Sequence, residues 1–169
     1  VSLPIDKSNS FAGRHDSSGR RLLIPVKNAE GATRAISYAI RRRAEGLPIR
    51  VFLLHVEETF PARLPIAGDR SQVSEAGESE GIFTELMHML EGLDIEVSAY
   101  VRYGPLVFSI LDAAEELDCD EIVVPAPHKG PFRILSHDVV ANLLAQQRSV
   151  HVVAVSKNGM SHGASKRRS

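Results

Sequence analysis

The run Glu121-Ile122-Val123-Val124-Pro125-Ala126-Pro127-His128-Lys129-Gly130-Pro131-Phe132-Arg133 decides how this chain is read. Ile122, Val123 and Val124 form a β-branched apolar triplet, the composition of a buried strand. Three prolines and a glycine follow between positions 125 and 131, and such a segment continues neither a strand nor a helix. Beyond Leu135 the apolar residues recur at helical spacing. Strand, loop, helix is the order in which α/β proteins seat anions and nucleotides. The helix N-terminus there offers free N–H groups and the positive end of its dipole.

The same alternation runs outward in both directions. Leu22-Leu23-Ile24-Pro25-Val26 reads as strand β1, with Pro25 placed at its C-terminal end because proline brings no N–H to a ladder. Residues 30–45 read as helix α1, with Ala32, Ala35, Ile36, Ala39 and Ile40 on one face. Arg34, Arg41, Arg42 and Arg43 fall mostly elsewhere, and Gly46 and Pro48 end the helix. Val51 to Val56 is β2, apolar on both faces as a buried parallel strand is. Residues 57–72 read as a loop of lid-like length.

Helix α2 is expected over about Glu78 to Glu91, and β3 over Ile95 to Val101. Met87 and Met89 read as helix packing. Gly104-Pro105 opens α3, whose stripe is Leu106, Ile110, Leu111, Ala114 and Leu117. The opening triplet belongs to β4, Glu121 to Val124. Helix α4 covers roughly Ser136 to Gln147 with Ser136 as its N-cap, and Val150 to Val155 is β5. The alternation predicts an α/β fold: a five-stranded parallel sheet with helices on both faces. Residues 1–20 and 157–169 carry no apolar period and are expected to be a flexible arm and a flexible basic tail around a domain over 21–156.

Totals exclude several function classes. The chain has 169 residues and a net charge of −1, so no strong field draws it to nucleic acid. Lys166-Arg167-Arg168 is too short a basic cluster to signal specific nucleic-acid binding. No apolar run approaches the ~20 residues that span a bilayer, and no membrane insertion is expected. Cys119 is the only cysteine, which rules out an internal disulfide and fits a reducing compartment. Its acidic neighbours are expected to raise the thiol pKa.

Walker, dinucleotide and nucleophile-elbow motifs do not occur. His128, His137 and Asp138 match no structural-zinc spacing, so no metal is expected. His55 reads as a packed or ligand-edge histidine and His151 as a partly exposed strand residue. No catalytic residue is assigned.

Taken together, the chain resembles the universal stress protein family over about residues 20–156. The resemblance rests on Leu22-Leu23-Ile24-Pro25-Val26, Leu53-Leu54-His55-Val56, Gly104-Pro105, Asp118-Cys119-Asp120-Glu121-Ile122-Val123-Val124 and Ser149-Val150-His151-Val152-Val153-Ala154-Val155. It implies the strand order 3-2-1-4-5 of the adenine nucleotide alpha hydrolase-like fold, a cytoplasmic homodimer and a role in stress survival. One branch of the family binds ATP through Gly-x2-Gly-x9-Gly-Ser/Thr after β4, with an Asp after β1.

In this chain those positions fall on Pro125, on His128, near His137 and Asp138, and on Lys27. The resemblance is therefore to the branch without the glycine motif. Proline removes a donor, and a histidine side chain fills space where glycine admits phosphate. Asp138 adds like charge.

The expected function is a regulatory or protective domain in stress response that does not hydrolyse ATP, with no cofactor and with a possible protein partner. One alternative is an adenine-nucleotide sensor taking ATP or AMP at Val26, Lys27, Val56, Pro125, His128, Lys129, Gly130, His137 and Asp138. The other is a soluble regulatory domain of a larger protein such as a transporter. The apolar edge formed by Val150, Val152, Val153 and Val155 is expected to pair two subunits.

Overall fold

A computed structural model describes residues 19–58, 71–126, 133–146, 150–156 and 161–162. Five strands run parallel: β1 (Arg20–Pro25), β2 (Ile49–Glu57), β3 (Glu96–Tyr103), β4 (Glu121–Pro125) and β5 (His151–Val155). Between them lie α1 (Ala29–Ala44), α2 (Ser71–Leu90), α3 (Leu106–Glu116) and α4 (Arg133–Gln146). The parallel strands stand in the expected order 3-2-1-4-5. A short sixth strand, β6 (Ser161–His162), adds antiparallel to β5.

Alternation along each strand divides the apolar residues between two layers. Leu22, Ile24, Val51 and Leu53 pack with α1 and α2 on one face. Leu23, Phe52, Leu54 and Ile122 pack with α3 and α4 on the other. Pro25 takes the last position of β1, opposite Leu54, where its missing N–H does least harm to the ladder. Gly46, with φ of 89°, closes α1 in the left-handed region.

Several sequence expectations shift. Helix α2 begins at Ser71, seven residues before the expected start, because residues 71–77 carry too few apolar positions to show a period. Helix α4 begins at Arg133, so Ser136 lies inside it and is not the N-cap. Pro105, expected in the first turn of α3, is instead its N-cap. Met89 is exposed, while Met87 packs on the core.

Arg34 was expected on the outer face of α1 but is buried. It pairs with Glu30 one turn earlier. The guanidiniums of Arg41 and Arg42 sit 5.8 and 5.9 Å from the Tyr38 ring centroid, and Arg43 pairs with Asp94, so this run off the apolar face is engaged by its neighbours.

Both expected flexible ends need correction at their inner boundaries. Arg20, assigned to the arm, starts β1: its N–H reaches the Pro48 carbonyl at 2.8 Å and its guanidinium reaches Glu121 at 2.8 Å. Ser161 and His162, assigned to an irregular tail, pair with Val155 and Ala154. An edge strand offers unpaired backbone groups, and a polar segment can satisfy them without any apolar period. Residues 1–18, 157–160 and 163–169 lie outside the described residues, as do residues 59–70 of the loop expected over 57–72, whose two ends belong instead to β2 at Glu57 and to α2 from Ser71.

Candidate functional site at the carboxyl ends of the strands

Strand order reverses between β1 and β4, since their crossovers leave in opposite directions. A crevice opens at the carboxyl ends there, as it does generally in open α/β sheets. Here it forms a cleft of about 460 Å³, a size suited to a small molecule. The strand tips supply Pro25, Val26, Leu54, His55, Val56, Val124 and Pro125. The start of α1 borders one side through Lys27, Asn28, Glu30 and Gly31. Leu106 and Ile110 of α3, with Val139 and Val140 of α4, form an apolar wall on the other.

The α1 border is tightly built. Asn28 is the N-cap, and its Oδ1 accepts from the Gly31 N–H at 2.8 Å. Gly31 permits a close approach: a Cβ at this position would lie 3.1 Å from Asn28 Oδ1 and 3.3 Å from Pro125 Cγ. The Pro125 ring therefore packs against the first turn of α1, across the crevice between β1 and β4.

His55 also locks the rim, because its Nδ1 lies 2.9 Å from the Val26 carbonyl. A carbonyl oxygen only accepts, so Nδ1 carries the proton and donates. In the neutral ring Nε2 is then left as an acceptor. The Val26 N–H reaches the Leu54 carbonyl at 2.7 Å. Together these bonds tie the tips of β1 and β2.

Lys27 is exposed at the cleft mouth and makes no ion pair among the described residues. Glu30, by contrast, is held by Arg34. Among the described residues the apolar wall dominates the lining, and Lys27 is the rim cation that no carboxylate engages. Among the described residues no group of three His, Cys, Asp or Glu side chains is placed to hold a metal.

The structure brings together Val26, Lys27, Val56 and Pro125 of the sequence-derived site. His128, Lys129 and Gly130 lie outside the described residues, as do the side chains of His137 and Asp138, which fall in the first turns of α4. Sequence reading missed Asn28, Gly31 and Arg34. An Asn just before the first residues of a helical period is a legible cap signal. Glu30 and Arg34 stand at the i,i+4 spacing of a helix ion pair, which is legible, whereas the burial of Arg34 is not, since sequence placed it off the apolar stripe.

Cys119 is buried away from the cleft, in the layer of α3 and α4. Its thiol is pushed up to about 12 chiefly by burial, with Asp120 and Asp118 adding to the rise and Arg21 opposing it. The expected direction holds, but burial is a larger cause than the acidic neighbours.

These features define a doubly wound α/β domain with a small-molecule-sized cleft at its switch point. The family model of the universal stress proteins matches residues 19–156, and the chain belongs to that family. It acts as a universal stress protein-like domain of the stress response.

Solved relatives share the fold at low identity. Universal stress protein UspA from Lactobacillus plantarum is 16% identical, with a TM-score of 0.63, over 83% of this chain and 99% of that one. A universal stress protein from Archaeoglobus fulgidus, solved in complex with dAMP, is 18% identical, with a TM-score of 0.53, over 82% of this chain and 99% of that one. A family member from Arabidopsis thaliana with AMP bound is 13% identical, with a TM-score of 0.57, over 81% of this chain and 91% of that one. No curated protein matches the chain in direct sequence comparison. Among the described residues no helix is long and apolar enough to cross a membrane.

Proposed function

We propose that this protein is a regulatory or protective member of its family that works without hydrolysing ATP. The observation that carries the reading is the Pro125 ring packed on Gly31 at the switch point. A triphosphate needs backbone donors and close approach at that crevice. Proline supplies no donor at this strand tip, and its ring takes up the space. The apolar wall opposite contributes nothing to a phosphate, and one exposed lysine gains little net energy in water. On this reading the protein carries no resident cofactor, acts as a cytoplasmic homodimer paired through β5, and regulates by contact with another protein.

Calorimetric titration with Mg-ATP tests it. The expected result is no binding tighter than about 100 μM, equivalent to roughly −5.5 kcal/mol, and no release of inorganic phosphate. Micromolar binding lost in Lys27→Ala would overturn it.

The second reading is an adenylate sensor. The relatives solved with AMP and dAMP favour it, as does a cleft of small-molecule size. AMP needs less of the phosphate crevice than ATP does. Titration with AMP distinguishes the two: micromolar AMP binding alongside absent ATP binding selects the sensor.

A further inference from the structure

The outer edge of β5 already holds a strand, and the direction of that strand is informative. His151 donates its N–H to the Asp120 carbonyl at 3.1 Å, and the Val155 carbonyl accepts from Ala126 at 2.7 Å. Both residues therefore face β4. Backbone groups alternate sides along a strand, so the N–H and C=O of Val152 and of Ala154 face outward. β6 takes one of these positions, because Ala154 is registered with His162 and Val155 with Ser161. Val152 has no partner strand on that side among the described residues.

A second copy of the chain would meet the same groups. A strand that pairs with its own copy across a two-fold axis normal to the sheet must run antiparallel. β6 runs antiparallel to β5 as well. Centring the axis on Val153 would set Val152 opposite Ala154 of the second copy, and Ala154 opposite its Val152. Both pairs would be of the hydrogen-bonded kind, each exchanging two bonds, where the Ala154–His162 pair supplies one such exchange.

We infer that β6 is an intramolecular stand-in for the β5 of a second copy, so that seating β6 and pairing two subunits through β5 exclude each other. β6 is only Ser161–His162, and its few backbone bonds are individually modest, so it is a cap that can be displaced. The segment after β5 thereby sets the strength of self-association. The inference rests on the proposed β5 homodimer, and the test separates the two.

The experiment is sedimentation equilibrium of the full chain, His162→Pro and His162→Ala across the micromolar range, with thermal melts to confirm folding. Proline removes the His162 N–H that β6 offers to β5, whereas alanine keeps it. His162→Pro should self-associate about tenfold more tightly than wild type, the worth of one or two backbone hydrogen bonds, with His162→Ala unchanged. A chain ending at Asn158 should match the proline variant. A wild-type dimer that neither His162→Pro nor the shortened chain tightens would overturn the inference and leave the dimer standing. Monomers in every case would overturn both.

Discussion

The two ends of the sheet are built on opposite terms. At the amino end, charged and polar groups meet one another. Glu121, buried at the start of β4, holds Arg20 through Oε1 and accepts from the Tyr38 hydroxyl through Oε2, both at 2.8 Å. The Arg21 N–H reaches Asp120 Oδ2 at 2.8 Å. The guanidiniums of Arg21 and Arg50 lie over the same Phe52 ring, at 5.2 and 5.5 Å. Their Nε atoms are the buried side-chain nitrogens left without a partner there, among the described residues.

At the carboxyl end, among the described residues, the polar groups are few and stand beside apolar walls, and Lys27 meets no carboxylate. The closed end holds strands in register, whereas the open end leaves room for something from outside. Substitutions at the two ends should therefore separate stability from binding.

Glu121→Ala should show the largest effect. It strands the Tyr38 hydroxyl in a buried site and removes the carboxylate that Arg20 pairs with. Leaving the buried Tyr38 hydroxyl without its charged acceptor costs about 3 kcal/mol, the upper end for such a bond, while Arg20 is exposed enough to turn to water. For a chain of this size the expected loss in melting temperature is roughly 6–12 °C. Ligand binding in the cleft should not change at temperatures where the variant is folded. A loss below about 1 kcal/mol would mean that Arg20, which is partly exposed, and Tyr38 find water instead, and the contrast between the ends would blur.

Pro125→Gly tests the open end, with a smaller effect. Removing the ring restores a backbone donor and clears the space beside Gly31. Mg-ATP affinity should rise about tenfold over wild type by calorimetry, consistent with one recovered charge-assisted bond. Stability should fall by about 1 kcal/mol, because glycine loosens the unfolded chain. Unchanged ATP affinity would show that the exclusion lies elsewhere in the site.

How much of this was legible follows the same division. The parallel sheet could be read because buried strands declare themselves by composition: Leu22 to Ile24, Val51 to Leu54 and Ile122 to Val124 are all apolar and all buried. Strand order came from family resemblance, since no residue encodes which strand lies next to which. The start of α2 was hidden because the first turns of that helix carry no apolar stripe. β6 was hidden for a related reason. Two polar residues that add to an edge through their backbone show no side-chain pattern at all. At the site, Lys27 and Pro125 were found because the resemblance puts the motif of the ATP-binding branch on them, and Val26 and Val56 because they lie at strand tips, a position fixed by topology. Gly31 and Asn28 matter through local packing, which becomes visible once α1 is set against Pro125.

The last effect is absent at neutral pH and emerges only in alkali, and it again falls on the side away from the cleft. Tyr38 is pushed up to about 12, first by burial and then by its hydrogen bond to Glu121. Burial likewise raises Cys119 to about 12. In both groups the folded state favours the protonated form. The stabilisation is complete below the unfolded values, 10.0 for Tyr38 and 9.0 for Cys119, and is lost as pH rises toward the folded values. Stability should therefore decline between about pH 9 and 12. Tyr38→Phe and Cys119→Ala remove the two titrating groups. Each variant costs some stability at neutral pH, through a lost hydrogen bond or a small cavity, so the slope is the informative quantity. Urea unfolding at stepped alkaline pH should give a shallower decline in the double variant than in wild type. Parallel declines would show that neither group is held protonated by the fold, and would place the alkaline sensitivity among the arginine and lysine contacts instead.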